Sequence, residues 1–342
     1  MARVLYIDAS CFLGGAQASL RLLIDARSSE EQQMLVAGCG EINPHIAITS
    51  HHYMANPAGM CQLIADARRA RGKVSDALAT FRPDTIYLNT MRSALFWLCL
   101  RLRTSAAVIV NDRDVRCPSF LPRLLDMFLH PRVLAVSRRV ALKWSFLPNE
   151  RLSVLPNVFD VEAIAATRPA LLPFEPSALN VVMAGDFTPW KNHELLLRAM
   201  VIVRKECPDA KCLLKGRVHT SKDAKYLLRL RNMLDNMGLQ NCVFINDMEE
   251  EALPYIAACD CLVSCSHLEP FGRTVVEALA MGKPVAATIT GADEELLADC
   301  PAIALAQDTP ESLAEAILHW RSPESRREVR QAALERARRY SR

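Results

Sequence analysis

Leu268-Glu269-Pro270-Phe271-Gly272-Arg273-Thr274-Val275-Val276-Glu277-Ala278-Leu279-Ala280-Met281-Gly282-Lys283-Pro284-Val285 links a strand to a helix and that helix to a second strand. The residues before it, Cys261 to Cys265, form an apolar strand-like run; Pro270 and Gly272 mark a turn; a short helical pattern then closes at Gly282, ahead of a strand from Pro284 to Thr288. Glu269 therefore sits in a strand-to-helix loop and Glu277 on the helix behind it. Backbone amides at a helix start point toward an anion, and carboxylates accept hydrogen bonds without donating any. Together they suit a phosphate flanked by sugar hydroxyls, the shape of a nucleotide sugar.

Outward from this stretch the same alternation fills the chain. Strand-like runs at Val4–Asp8, Met34–Gly38, Thr85–Asn89, Ala107–Asn111 and Val133–Ser137 alternate with helical patterns, the clearest from Leu63 to Phe81. A second series runs Asn180–Ala184, Cys212–Lys215, Cys242–Ile245, Cys261–Cys265 and Val285–Thr288. Alternation of this kind predicts an α/β fold with two parallel, doubly wound sheets. Pro169, Pro173 and Pro176 crowd a stretch without periodicity, so the expected division is residues 1–169, a linker at 170–178, a second domain at 179–320 and a basic C-terminal helix at 321–342.

Composition narrows the class. The 342 residues are enough for two ordinary domains, and 51% apolar with 6% aromatic residues describes a globular chain. No apolar run approaches the roughly 20 residues of a membrane span. The N-terminus enters a strand pattern at once and lacks a signal peptide's apolar core, so the expected location is the cytoplasm. The 12 cysteines are scattered without the spacing of a zinc or redox site, which points to reduced thiols. Basic residues are not interleaved with aromatics as in a nucleic-acid module, so no nucleic-acid partner is expected.

Glu269, the Pro270-Phe271-Gly272 turn, Glu277 with seven residues between the two acids, and the closing Gly282-Lys283-Pro284-Val285 resemble the donor-site signature of the retaining family-4 glycosyltransferases. The resemblance implies a GT-B fold, two Rossmann-like domains facing each other across a cleft, with the second holding a nucleoside-diphosphate sugar. It implies that Glu269 contacts the transferred sugar, that Glu277 holds the ribose, and that Phe271, Gly272 and Arg273 border the donor. In the loop Gly185-Asp186-Phe187-Thr188-Pro189-Trp190-Lys191, Lys191 matches a family lysine that clamps the diphosphate, whereas Asp186 stands where the family carries an arginine. Lys215, Arg217 and Arg273 are candidates for the missing charge. His193 and His267 are read either as donor contacts or as ordinary loop histidines.

In the first domain, Gly14-Gly15 precedes a helix; it makes either a tight turn or, as the resemblance implies, a loop facing the donor. The family commonly has a histidine where the run Ala107–Val110 ends, and here Asn111-Asp112 follows. Asparagine cannot exchange a proton near neutral pH, which leaves Asp112 and Asp114 as candidate bases. The implied reaction is retaining transfer to a glycan or lipid-linked saccharide, with no cofactor and no metal ion. Two alternatives keep the fold: a nucleotide-sugar epimerase or hydrolase, and a non-catalytic nucleotide-sugar-binding protein. For the arginine-rich tail the ordinary reading is a solvated helix, and the open alternative is peripheral contact with anionic membrane at its cytoplasmic face. His51-His52, within residues 42–60, falls in a poorly patterned segment read as an acceptor-side loop.

Overall fold

The computed structural model describes residues 3–9, 14–27, 32–37, 47–48, 59–175 and 179–342, with side chains of residues 27, 32–37 and 47–48 left aside. The 42–60 reading and Gly38 of the second expected strand lie outside or mostly outside these residues. The chain forms two compact units, Met1–Phe159 and Asp160–Arg342. They divide ahead of the proline-rich 170–178 stretch: the helix at Val161–Ala165 packs on the helix at Arg273–Ala280, and Ala170 N donates to Pro254 O at 2.9 Å.

The first unit runs β1 (Arg3–Asp8), α1 (Gly15–Arg27), β2 (Gln32–Ala37), β3 (Ala47–Ile48), α2 (Met60–Phe81), β4 (Thr85–Leu88), α3 (Met91–Leu100), β5 (Ala107–Asp112), α4 (Leu121–Leu129), β6 (Arg132–Ala135), α5 (Arg138–Ala141) and β7 (Leu152–Val154). Its strands form one parallel sheet in the order β3-β2-β1-β4-β5-β6-β7. Leu5, Ile7 and Leu88 from the strands meet Leu63, Ala67, Ala70 and Trp97 from α2 and α3 in its core. Because helices cover both faces of such a sheet, its strands read as continuous apolar runs, which is why they were visible in sequence.

The second unit runs α6 (Val161–Ala165), β8 (Asn180–Ala184), α7 (His193–Glu206), β9 (Lys211–Lys215), α8 (Ser221–Asn236), β10 (Val243–Asn246), α9 (Leu253–Ala258), β11 (Cys261–Ser264), α10 (Arg273–Ala280), β12 (Val285–Thr288), α11 (Glu294–Leu297), β13 (Ile303–Ala306), α12 (Pro310–Leu318), α13 (Pro323–Glu328) and α14 (Arg330–Arg338). Its parallel sheet has the order β10-β9-β8-β11-β12-β13. In both units the strand order reverses once, between β1 and β4 and between β8 and β11. Ligands of doubly wound sheets bind beyond the carboxyl ends of the strands at that reversal. The loops after β1, β8 and β11 thus stand where such sheets bind ligands.

The short strands β3 and β13 were not anticipated, and the tail departs further from expectation. It is two helices, of which α14 packs on α10. Arg336 is 6% exposed. Its guanidinium donates to the carbonyls of Glu295, Leu296, Ala298 and Asp299 at 2.6–3.1 Å, closing the end of α11. Arg326 pairs with Asp260 at 3.2 Å and Arg342 with Asp160 at 2.6 Å. Three of the tail's arginines therefore bind groups of the second unit.

Candidate functional site

Three loops meet at the carboxyl edge of the second sheet, following β8, β11 and β12. Gly272 begins α10 with φ 101°, a left-handed conformation, and a Cβ there would lie 2.5 Å from Ala292 Cβ, so glycine is required. Backbone bonds tie the loops together: Glu269 N donates to Thr290 O at 3.0 Å, Asp293 N to Phe271 O at 2.8 Å and His267 N to Trp190 O at 2.9 Å. Side chains add Thr290 Oγ1 donating to Ser266 O at 2.8 Å and Ser264 Oγ donating to Gly291 O at 2.6 Å.

Within this frame Lys191 Nζ meets Glu269 Oε2 at 2.7 Å, their side chains 17% and 12% exposed. Ser266 Oγ donates to the same oxygen at 3.0 Å, and the ammonium stands 4.2 Å from the Trp190 ring centroid. The lysine stem lies against Gly185, whose missing Cβ would come 3.3 Å from Lys191 Cδ and Cε. The fold thus brings Gly185 and Lys191 to Glu269, which lies 78 positions beyond the lysine. Arg273 and Glu277 pair along one face of α10 at 3.3 Å. Burial pushes the Glu277 carboxyl above the usual range, while Arg273 and then Lys191 pull it back. The field of Lys191 therefore reaches both acids.

Asp186 accepts from Arg217 Nε at 3.2 Å and stands 3.2 Å from His219 Nε2. The loops after β8 and β9 are held close by Phe187 N donating to Arg217 O, and a Cβ on Gly216 would sit 2.2 Å from Gly185 O. Lys215 is buried and donates to Asn246 Oδ1 and Met248 O, with burial lowering its pKa. His193 is not a ligand-facing group. It is fully buried between the rings of Phe187 and Tyr226, and burial holds its pKa down at about 3, so the ring is neutral. His267 is about half exposed, with Nδ1 3.4 Å from Asp308.

In the first unit the glycine loop is tied to β1. Gly14 N donates to Gln17 Oε1 at 2.9 Å, and Gln17 Nε2 donates to the buried Asp8, which also accepts from Asn89 Nδ2 at 2.8 Å. Gly15, the first residue of α1, is exposed. Asp8, Gln17, Asn89, Ser266 and Thr290 were missed in sequence; the signal for Asp8 and Gln17 was a polar residue interrupting an otherwise apolar strand or helix face. Asn111 is buried against the Tyr87 hydroxyl. The Asp112 side chain is wholly buried, bonded to Lys143 Nζ at 3.0 Å, Trp144 Nε1 at 2.6 Å and Asp114 N at 3.0 Å. A carboxylate with both oxygens engaged in the interior anchors the β5 exit and offers no free lone pair to a substrate. The exposed acid there is Asp114. Among the described residues no three His, Cys, Asp or Glu are grouped to hold a metal ion.

Residues 172–339 match the family of glycosyl transferases group 1. An uncharacterized glycosyltransferase of Methanocaldococcus jannaschii is 25% identical over 145 residues, which is 40% of this chain and 34% of that protein. Mannosylfructose-phosphate synthase of Agrobacterium fabrum is 31% identical over 115 residues, 32% of this chain and 25% of that protein. The chain thus aligns with about a third or less of these relatives' length. Among solved structures, sucrose-phosphate synthase of Thermosynechococcus elongatus superposes with a TM-score of 0.84 at 18% identity, covering 99% of this chain and 95% of the other. Anabaena HepE, solved with UDP and glucose, gives 0.81 at 19% identity, covering 100% and 96%. The chain thus has the fold of these structures, two parallel-sheet Rossmann-like units of GT-B type, and its residues 172–339 match the glycosyl transferases group 1 family.

Proposed function

We propose that the chain is a retaining glycosyltransferase that moves a sugar from a nucleoside-diphosphate sugar to a glycan or lipid-linked saccharide without a metal ion. The observation carrying this reading is the 2.7 Å pair between Lys191 and Glu269 beside the start of α10. Breaking the bond from sugar to phosphate builds negative charge on the diphosphate, and preorganised cations and helix-start amides lower that barrier. An arriving diphosphate competes with Glu269 for Lys191. Lys191 then neutralises phosphate, and Glu269 is released to accept from sugar hydroxyls. Glu277 accepts from the ribose, with Arg273 adjacent.

Arg217 supplies the charge absent at position 186: Asp186 holds it at 3.2 Å, while Lys215 is committed to buried acceptors. In retaining transfer the departing phosphate oxygen takes the acceptor's proton, so a buried Asn111 beside an anchored Asp112 is compatible with turnover. HepE, crystallised with UDP-glucose, supports a nucleotide-sugar donor through its likeness in fold.

Purified protein screened by thermal shift against UDP, GDP, ADP and their sugar conjugates, then assayed with the stabilising donor, tests the reading; NMR of the product's anomeric centre reports retention or inversion. No stabilisation by any donor, or an inverted product, refutes it. The second reading, a binding protein without transfer, draws on Asp186 at a cation position and on the absence of an exposed base at Asn111-Asp112. Its mark is tight donor binding without released nucleotide.

A further inference from the structure

We propose that Tyr340 is a positioning residue for the donor site, its ring holding the Phe271-Gly272 turn from which α10 starts. Phe271 is 3% exposed, and the Tyr340 ring meets it edge-on, with centroids 5.4 Å apart and planes at 80°. That is one of the two arrangements aromatic pairs favour. Phe271 O accepts from Asp293 N at 2.8 Å, so Tyr340 rests on the residue that joins the loops after β11 and β12. Burial pushes the Tyr340 hydroxyl up to about 12, which keeps the side chain neutral near neutral pH.

The helix before Tyr340 is built to deliver it. Arg330, Ala333, Ala337 and Tyr340 recur at helical spacing, and both alanines are wholly buried. Tyr340 N donates to Ala337 O at 2.9 Å, which carries the turn on past Arg338. α14 packs on α10. At one end Arg330 covers Gly282, where a Cβ would come 2.8 Å from its Cγ; at the other Tyr340 meets Phe271. α14 therefore runs antiparallel to α10 and spans it from closing glycine to starting turn. Arg342, two residues on, pairs with Asp160 at 2.6 Å, and Asp160 caps α6 by accepting from Ala163 N at 3.0 Å. Since α6 packs on α10 as well, the donor helix is gripped by two helices that are themselves fastened together. A helix start held in this way keeps its amides aimed at an anion without reorganisation.

The role toward the donor rests on the proposed transfer, whereas the hold on the turn is measured without any donor. In full-length Tyr340→Ala, hydrogen exchange read by mass spectrometry should be at least about tenfold faster than in the parent for amides of residues 271–276, and unchanged in β8 and β9. Tyr340→Leu gives the same reading should alanine unfold the unit. Tyr340→Phe keeps the ring and should exchange as the parent does. Leu230→Ala, in the α8 part of the core, should lower the melting temperature yet leave these amides protected. Affinity for the nucleoside diphosphate that stabilises the parent should fall about tenfold in Tyr340→Ala and recover in Tyr340→Phe, by isothermal calorimetry. Parent-like exchange in Tyr340→Ala, or equal loss of protection in Tyr340→Phe or Leu230→Ala, would overturn the proposal and leave the transfer reading intact. Unchanged nucleotide affinity in a variant whose turn has loosened would do the same. A parent that binds no nucleoside diphosphate would overturn both.

Discussion

At the residue scale, Lys191 and Glu269 form a competition rather than a fixed brace. Two mostly buried ions 2.7 Å apart neutralise each other until a stronger anion enters. Glu269→Gln should therefore leave nucleoside-diphosphate affinity equal or tighter, by isothermal calorimetry, while transfer falls about 10²-fold or more. Lys191→Gln should weaken that affinity at least about tenfold, because Arg217 is then left as the one proposed cation on the diphosphate in the loops after β8 and β9. Glu277 carries an opposite trade. Burial raises its carboxyl, so the folded state favours the protonated form; that stability is present below the ordinary glutamate pKa and is lost as pH rises through the raised one. Glu277→Gln should accordingly raise the melting temperature at neutral pH yet weaken donor binding. In the parent protein, donor affinity should fall on acidification at a higher pH than an unperturbed glutamate would dictate.

At the scale of elements, helix termini do most of the positioning. α10 starts where it does because Gly272 alone accommodates both φ 101° and the approach of Ala292. α11 ends at carbonyls that have no partners within the helix, and Arg336 from α14 supplies them. Arg336→Ala should cost about 2–4 kcal/mol in urea denaturation, since buried carbonyls lose a charged donor and a cavity remains. The exposed Arg339→Ala should stay within about 0.5 kcal/mol of the parent. Sequence periodicity located the long buried strands because burial on both faces demands continuous apolar residues. The same rule gave no signal for β3, whose two residues are too short to establish a pattern.

At the scale of the molecule, each unit has its own sheet and core, and every residue proposed for the donor site outside Gly14, Gly15, Asn111 and Asp112 lies after Asp160. A fragment of residues 160–342 should melt cooperatively, and its midpoint should rise with whichever nucleoside diphosphate stabilises the full chain, as differential scanning fluorimetry would report. Local order along the chain was enough to read two doubly wound sheets and the acid pair of the Leu268–Val285 stretch, since strand exits, glycine turns and helix starts are short-range features, whereas Lys191 stood out only through the family resemblance. Partnerships were beyond it. Which carboxylate is buried, as Asp112 is, and which cation meets which acid, as Lys191 meets Glu269 and Arg217 meets Asp186, depends on side chains from separate strands arriving at one edge. The arginine-rich tail makes the same point: its charge was plain from composition, but its inward destination follows from carbonyls that become orphaned only once α11 has folded against it.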